Sequence, residues 1–511
     1  FGSAARPADK LVSSEIQSLV FGGLGFMKHG LCMIFDLPDD VALARFWLRR
    51  VKPHIAFNDG RRLQASAVVT LALGAGGLRR LGLPERALEG FSFPFVEGMT
   101  NSARSRILGD LGDGAPDRWR WGRQQPDVAL LIYGSSKRAV RGLRSEIELY
   151  AEAAAMKPPH VIPLKPVTRR KTEPFGFTDG ISQPVIRGTY KGFRFADPIH
   201  LVEAGEFILG YPDNRGRIPL GPELSAIADP DNMLPLVAAP VGFDRTVVDR
   251  PRDLGFNGSY LVIRELEQDV AAFDDYCRAE AERLETLGRL SPPYVCTPEF
   301  IAAKLIGRWR DGSSLARHPY EPPLTRRFSV ESHPTVRPTS LAPASAPPIQ
   351  RPAALSDERD NDFIFGAEDP EGLRCPFGAH IRRANPRDSL APGSADQIGI
   401  TNRHRIIRVG RFYQQPRGAK PGLFFMCLNA DIERQFEFLQ QTWLNSPSFH
   451  GLSCEKDPVL GDGEEGACGF TIPSRDGPVS LSPMPRFVTT RGGGYFFLPG
   501  KRLIDFLGKE R

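Results

Sequence analysis

The stretch from Arg374 to Arg387 (Arg-Cys-Pro-Phe-Gly-Ala-His-Ile-Arg-Arg-Ala-Asn-Pro-Arg) constrains this chain more than any other. One histidine, His380, stands between two prolines, and arginines follow at positions 382, 383 and 387. That is an odd way to build a purely structural segment. One imidazole can ligate a metal ion, and arginines just beyond it can hold the carboxylates of a bulky anionic cofactor. A porphyrin with two propionates presents both needs at once. A basic surface loop with an incidental histidine is the plainer alternative, and these residues alone do not choose.

The 511-residue chain is long enough for two or more domains and a large core. With 41% hydrophobic and 25% charged residues it reads as globular rather than disordered. Lys and Arg exceed Asp and Glu by only six charges, which is no nucleic-acid footprint. The basic residues sit in short arginine clusters, which suits local anion sites. The seven cysteines are far apart and form no Cys-x-x-Cys pair, so reduced thiols in a cytoplasmic protein are the expectation. No run of 18 apolar residues occurs, and the first residues do not resemble a signal peptide. The chain starts on Phe1 rather than Met, so a leader removed earlier stays an open alternative.

Strand and helix signals alternate over residues 16–150: strands at 31–35, 67–73 and 127–133, helices at 41–51 and 136–156, and a glycine turn at Gly74, Gly76 and Gly77. Residues 158–250 are rich in Pro and Gly and predict a long functional loop region. The pattern resumes with a strand at 258–264 and a helix at 270–287. A Pro/Ser/Arg-rich tract at about 314–355 predicts a poorly ordered surface insertion. Beyond His380 come a strand at 422–428, a helix with Ile432, Phe436, Leu439 and Trp443 at i, i+4, i+7 and i+11, a strand at 494–498 and a short final helix. Two α+β halves with loops packed between them is the expected architecture.

Three further residues can carry chemistry. Asp179 lies in Phe175-Gly-Phe-Thr-Asp-Gly180, where flanking glycines let the backbone approach a flat ligand. An Asp before Gly is commonly a turn residue, but beside aromatics its carboxylate suits acid–base work. Arg408 shares a strand face with Ile406 and needs an anionic partner unless it reaches solvent past the strand end. Asp431 is a helix cap by default and, functionally, could accept the second ring proton of a ligating histidine. The other eight histidines fit no multi-histidine metal site.

With these motifs in view, the chain resembles the dye-decolourising peroxidases, and specifically their longer-chain branch. The resemblance rests on Gly176-Phe-Thr-Asp-Gly180 and on Cys375-Pro-Phe-Gly-Ala-His-Ile-Arg-Arg-Ala-Asn-Pro-Arg387. In-order matches at Leu254–Val262, Asn361-Asp-Phe363, Gln440–Asn445 and Arg491–Pro499 support it. It implies two ferredoxin-like domains (12–250 and 251–511) with antiparallel sheets enclosing a haem b pocket. His380 is then the proximal iron ligand, Asp179 the distal carboxylate and Arg408 the distal guanidinium. Leu423 and Phe425 lie over the distal face, on one side of their strand. Arg387 and Arg382 meet the propionates, and Asp431 (Glu433 as fallback) is the partner of His380. The implied reaction reduces hydrogen peroxide through a ferryl intermediate and oxidises dyes, phenolics or other bulky reductants one electron at a time. A carboxylic acid base predicts an acidic optimum for dye oxidation. Dyes too large for the pocket would be served by surface aromatics, among which the sequence does not choose. Two other readings stand beside this one: a haem-binding or haem-iron-handling protein with little turnover, and a non-catalytic two-domain scaffold.

Overall fold

Strand β1 (His29–Phe35) is buried on both faces at its centre, and the chain around it pairs it on both edges. In the computed structural model, which describes residues 11–510 except 23, 59–64, 167–171, 190–196, 239–249, 289–293, 324–359, 395, 414–418 and 462–468, β1 is followed by helix α1 (Val41–Val51). Asp40 caps α1 by accepting the amides of Ala42 and Leu43 at 2.7 and 3.2 Å. Next come β2 (Ala67–Leu73), β3 (Val128–Gly134), helix α2 (Lys137–Ala153) and β4 (His160–Leu164). These four strands are antiparallel, in the order β4-β1-β3-β2.

The second half repeats the order. It contains β5 (Ser259–Gln268), helices α3 (Val270–Leu287) and α4 (Pro298–Ile306), and the short helix α5 (His380–Ala384). It goes on through β6 (Ile407–Arg408), β7 (Arg411–Tyr413), β8 (Gly422–Asn429), β9 (Val488–Leu498) and a closing helix α6 (Lys501–Leu507). Its order is β7-β8-β5-β9, with β6 also on β8. The two groups join through Tyr413 opposite Leu164 and Phe497 opposite Leu73, so the described strands form one closed antiparallel sheet.

Period-2 alternation then sorts the side chains. Inside the ring lie Cys32, Ile34, Leu131, Ile263, Phe424, Met426 and Phe496. Outside, under the helices, lie Met33, Leu71, Leu130, Ile132, Val262 and Phe497, with Trp47 and Ile147 from α1 and α2. Both cores draw on both halves. Burying each such Leu, Ile or Phe contributes ~1.5–3 kcal/mol. A third core holds α3 and α4 against Phe175, Phe177, Cys375 and Ala379, and so fixes the segments on either side of the site.

Some expectations are revised. Gly76 and Gly77 are not a turn but part of a helix at Ala75–Arg80, where a Cβ on Gly77 would strike the Asp127 carbonyl. The helix expected after β8 is π-helical over Glu433–Glu437 and Leu439–Leu444, although Ile432, Phe436, Leu439 and Trp443 are all buried as their spacing requires. The Pro-rich tract does not begin at 314: Leu315 and Ala316 are core residues. Its portion from 324 lies outside the described residues. Among the described residues no helix is long and apolar enough to cross a membrane.

Candidate active site

Helix α5 starts at His380, and its register puts Arg382 and Arg383 into the protein interior. The imidazole keeps a quarter of its surface exposed. Its Nδ1 is 2.9 Å from Oδ2 of Asp457, a carboxylate with no solvent exposure. The other oxygen of Asp457 accepts the amides of Val459 and Leu460 at 2.9 and 2.8 Å. Burial alone would raise the Asp457 carboxyl, but the attraction and hydrogen bond of His380 and the Leu460 amide bring it below its ordinary value. His380 Nε2 has no hydrogen-bond partner among the described residues. A ring whose Nδ1–H is taken by a carboxylate presents its Nε2 lone pair to a metal.

Asp457 thus holds the position expected of Asp431. Asp431 instead accepts the Arg434 amide at 3.0 Å and pairs with its Nε at 3.2 Å, an i,i+3 contact with the carboxylate 40% exposed. The fallback Glu433 lies near Arg104, at 3.2 Å. Asp-Pro at 457–458 was the available sequence signal, an acid poised to accept amides just ahead of it in a turn.

The Asp179 loop is braced from below. Glu173 accepts the amides of Phe175 and Phe177 at 2.9 Å each and the Gln268 side chain at 2.7 Å. Phe175 packs at a tilt against Phe273 of α3, with centroids 4.6 Å apart. Gly180 sits at φ +84°, where a side chain would be strained, and its amide donates to Asp179 Oδ1 at 2.6 Å. The same Oδ1 is 3.1 Å from Arg408 Nη1, which answers the need for an anionic partner. Gln183 holds the Arg408 peptide from both sides, at 2.8 and 3.1 Å. On β8, Leu423 and Phe425 are half-buried and share the face opposite the closed interior.

One loop connects the two clusters. A Cβ at Gly307 would collide with Ile381, next to His380, and one at Gly312 would collide with Ile181, two residues past Asp179. Between them the Arg310 carbonyl accepts the Thr178 amide and hydroxyl at 3.1 and 3.0 Å.

The arginines divide by partner. Arg382, expected near an anionic ligand, is wholly buried and engaged within the protein. It pairs with Asp369 at 2.9 Å, bonds the Cys375 carbonyl at 2.8 Å and lies between the rings of Phe365 and Phe377. Arg387 is buried in a left-handed backbone conformation (φ 55°), donates to the oxygens of Asn361 and lies over Phe363. Two arginines missed at the level of sequence join it electrostatically, Arg308 and Arg405. None of the three makes an ion pair with a carboxylate among the described residues. Desolvation lowers all three; repulsion from Arg308 and Arg405 lowers Arg387 further, and repulsion from Arg408 adds to the fall of Arg308 and Arg405, each to about 10. Arg405 Nη2 and His200 Nδ1 are buried without a partner. Such a set fits a ligand carrying carboxylates, because buried cations and orphaned donors are costly unless an anion meets them.

Fold and site together define a class: an α+β protein in which a lone histidine with an unpartnered Nε2 is joined by one loop to a carboxylate–guanidinium pair. Comparison with known proteins narrows this. The chain is 28% identical to multifunctional dye peroxidase DyP2 of an Amycolatopsis species over 99% of its own length and 97% of that protein's. It is 26% identical to dye-decolorizing peroxidase AauDyP1 of Auricularia auricula-judae over 66% of this chain and 56% of that one. The structure of an ancestral D-type dye decolorizing peroxidase superposes with a TM-score of 0.71 at 25% identity, covering 98% of this chain and all of the other. No family profile matches the chain. The chain is thus similar over its whole length to the dye-decolourising peroxidases.

Proposed function

We propose that this chain is a haem-dependent peroxidase that reduces hydrogen peroxide and oxidises dyes, phenolics or other bulky reductants in one-electron steps. The observation that carries the catalytic assignment is the Asp179–Arg408 contact at 3.1 Å, joined through one loop to a histidine whose Nε2 lacks a protein partner. Each half reads as a ferredoxin-like unit (12–250 and 251–511). The repeated strand order, fourth-first-third-second, supports this.

Haem b, when bound, supplies a redox-active iron with one coordination position for peroxide and oxidising equivalents for reductants. His380 Nε2 would hold that iron. Arg308, Arg387 and Arg405 would hold the propionates, a role from which Arg382 is excluded by Asp369. Asp457 keeps the imidazole proton on Nδ1. Asp179 works through Oδ2, since Oδ1 is occupied by Gly180 and Arg408. It takes the proton from one peroxide oxygen and returns it to the other, so that water can leave. Arg408 sits ready to stabilise the negative charge that develops as the oxygen–oxygen bond breaks. Leu423 and Phe425 exclude water and keep large reductants out of the pocket.

Replacing Asp179 with Asn tests the assignment. In the haem-loaded chain the rate of reaction with peroxide, followed by stopped-flow absorption, falls by at least ~10²-fold. A rate within about tenfold of the parent moves the proton-transfer role away from Asp179.

A further inference from the structure

Three consecutive residues, Asp360, Asn361 and Asp362, run beside the buried arginines, and only the middle one has no ionisable side chain. The two aspartates turn to the 314–317 segment. Asp362 pairs with Arg317 at 2.6 Å, and the Asp360 carboxylate accepts the Ser314 amide. Asn361, only 7% exposed, turns its side chain to the cluster. Its Oδ1 accepts Nη2 of Arg387 at 2.7 Å and Nη2 of Arg308 at 3.1 Å, and its backbone carbonyl accepts Nη1 of Arg387 at 2.9 Å. Its Nδ2 donates to the Ile181 carbonyl at 3.2 Å, two residues past Asp179. His200 meets the same peptide, with Nε2 2.7 Å from the Asn361 carbonyl. Burial, Arg405 and Arg387 hold that imidazole to about 3, so it adds no charge at neutral pH.

A carboxylate would fill the same space and bond two guanidiniums more strongly than an amide does. It would also neutralise them. An amide oxygen satisfies the guanidinium N–H groups through its dipole and carries no net charge, so the charge of Arg308 and Arg387 stays uncompensated. A carboxylate also has no N–H for the Ile181 carbonyl and would set oxygen against oxygen there. We propose, building on the haem reading and its assignment of the propionates, that Asn361 determines the specificity of the anion site: it fixes Arg308 and Arg387 with a neutral acceptor and so reserves their charge for the carboxylates of the ligand. The ligand class this selects is a porphyrin with ionised side chains over one whose side chains are esterified. Asp360 and Asp362 mark the contrast, since their carboxylates serve other partners on either side of the one position where a charge would compete.

The test titrates the full apo-chain with haemin and with haemin dimethyl ester, followed at the Soret band, in the parent, Asn361→Asp and Asn361→Ala. The readout is the preference for haemin over its ester. In Asn361→Asp the added carboxylate competes with the propionates for the guanidiniums, and the preference falls at least ~10-fold. Asn361→Ala removes the same side-chain hydrogen bonds without adding a charge, so both ligands lose affinity and the preference is kept. An asparagine with a purely structural role would change both ligands by the same factor in both variants. An unchanged preference in Asn361→Asp, or one lost as fully in Asn361→Ala, overturns the proposal. Apo-chain melts show whether each variant folds, and if Asn361→Asp does not, a preference lost in Asn361→Ala still overturns it. A parent that binds haemin with the expected preference but does not react with peroxide sinks the peroxidase reading and leaves the role of Asn361 standing. A parent that binds both ligands equally sinks the propionate assignment and the proposal together, so the failures are distinguishable.

Discussion

Replacing Asp457 with Asn changes one atom in a way that the surrounding hydrogen bonds convert into a change of histidine tautomer. Oδ1 of Asp457 accepts two backbone amides, from Val459 and Leu460. In the Asn variant those amides fix the side-chain carbonyl at the Oδ1 position. The new NH₂ group then faces His380 Nδ1, at present 2.9 Å from the carboxylate. Two donors cannot share that contact, so Nδ1 becomes the acceptor and the ring proton moves to Nε2, the nitrogen proposed above to hold the iron. Loss of such a partner typically costs ~10–100-fold in metal affinity, or about 1.4–2.7 kcal/mol. Titration of the apo-chain with haemin, followed at the Soret band, measures it, and the ferric–ferrous potential gives a second readout because the carboxylate makes the imidazole a stronger electron donor. Asp431→Asn is the control. Its carboxylate serves Arg434, so haem affinity stays within about twofold of the parent, as for other half-exposed i,i+3 pairs. A haem affinity unchanged in Asp457→Asn, or lowered equally in Asp431→Asn, refutes the reasoning. An apo-chain melting profile for each variant separates ligand loss from unfolding. The melts belong at neutral pH: the depressed Asp457 carboxyl contributes stability that is present above its unfolded value and lost as pH falls through its folded one.

Two more outcomes follow from the buried cations. Haem dimethyl ester lacks the propionate charges, so its affinity falls well below that of haem in the parent chain, and an Arg387→Ala, Arg405→Ala double variant narrows the difference; equal affinities for the two ligands would exclude the arginine cluster as the propionate site. His200 is held to about 3 by burial and by Arg405 and Arg387. Because its folded value lies below its unfolded one, its contribution is present above about pH 6.5 and is lost as pH falls, at ~1.4 kcal/mol per unit down to the folded value. Urea denaturation of the apo-chain therefore shows about 2 kcal/mol less stability at pH 5 than at 6.5 from this residue, and His200→Gln removes that part of the slope; an identical slope in the variant rules it out.

What the sequence disclosed was whatever depends on near neighbours. Helix α1 and strand β2 fall at Val41–Val51 and Ala67–Leu73, as read, because apolar periodicity and an Asp cap act within a few residues. His380 and Asp179 stand out for the same reason: each lies in a compact motif. Partners fixed only by folding stayed hidden. Asp457 is 77 residues from His380, whereas the contacts of Asp431 with Arg434 are local and match its default role as a helix cap. The π-helical turns after β8 bury the residues that an α-helical period selects, since both windings keep Ile432, Phe436, Leu439 and Trp443 on one side. Gly74, Gly76 and Gly77 look like a turn, but there they provide room beneath the start of β3.

Arg382, Arg383 and Arg387 are close in sequence and chemically the same, yet only their surroundings assign them. Arg382 is neutralised by Asp369, and Arg383 donates to the carbonyls of Gly378, Trp443 and Glu455, so both tie α5 to its neighbours. Arg387 gathers Arg308 and Arg405 from distant parts of the chain into a cluster without a carboxylate partner among the described residues. A fold that buries three cations with no carboxylate in direct ion-pair contact among the described residues is less stable than it could be until an anion arrives. Binding a dicarboxylate cofactor therefore relieves a strain in the protein as well as filling a site. The binding energy then appears as folding stability, growing as RT ln(1 + [L]/Kd) to about 4 kcal/mol at a thousandfold excess over Kd. Arg308 belongs to the loop between Gly307 and Gly312, where it donates to the Gly312 carbonyl at 2.8 Å, so an anion bound there would touch the same loop that packs against Ile381 and Ile181.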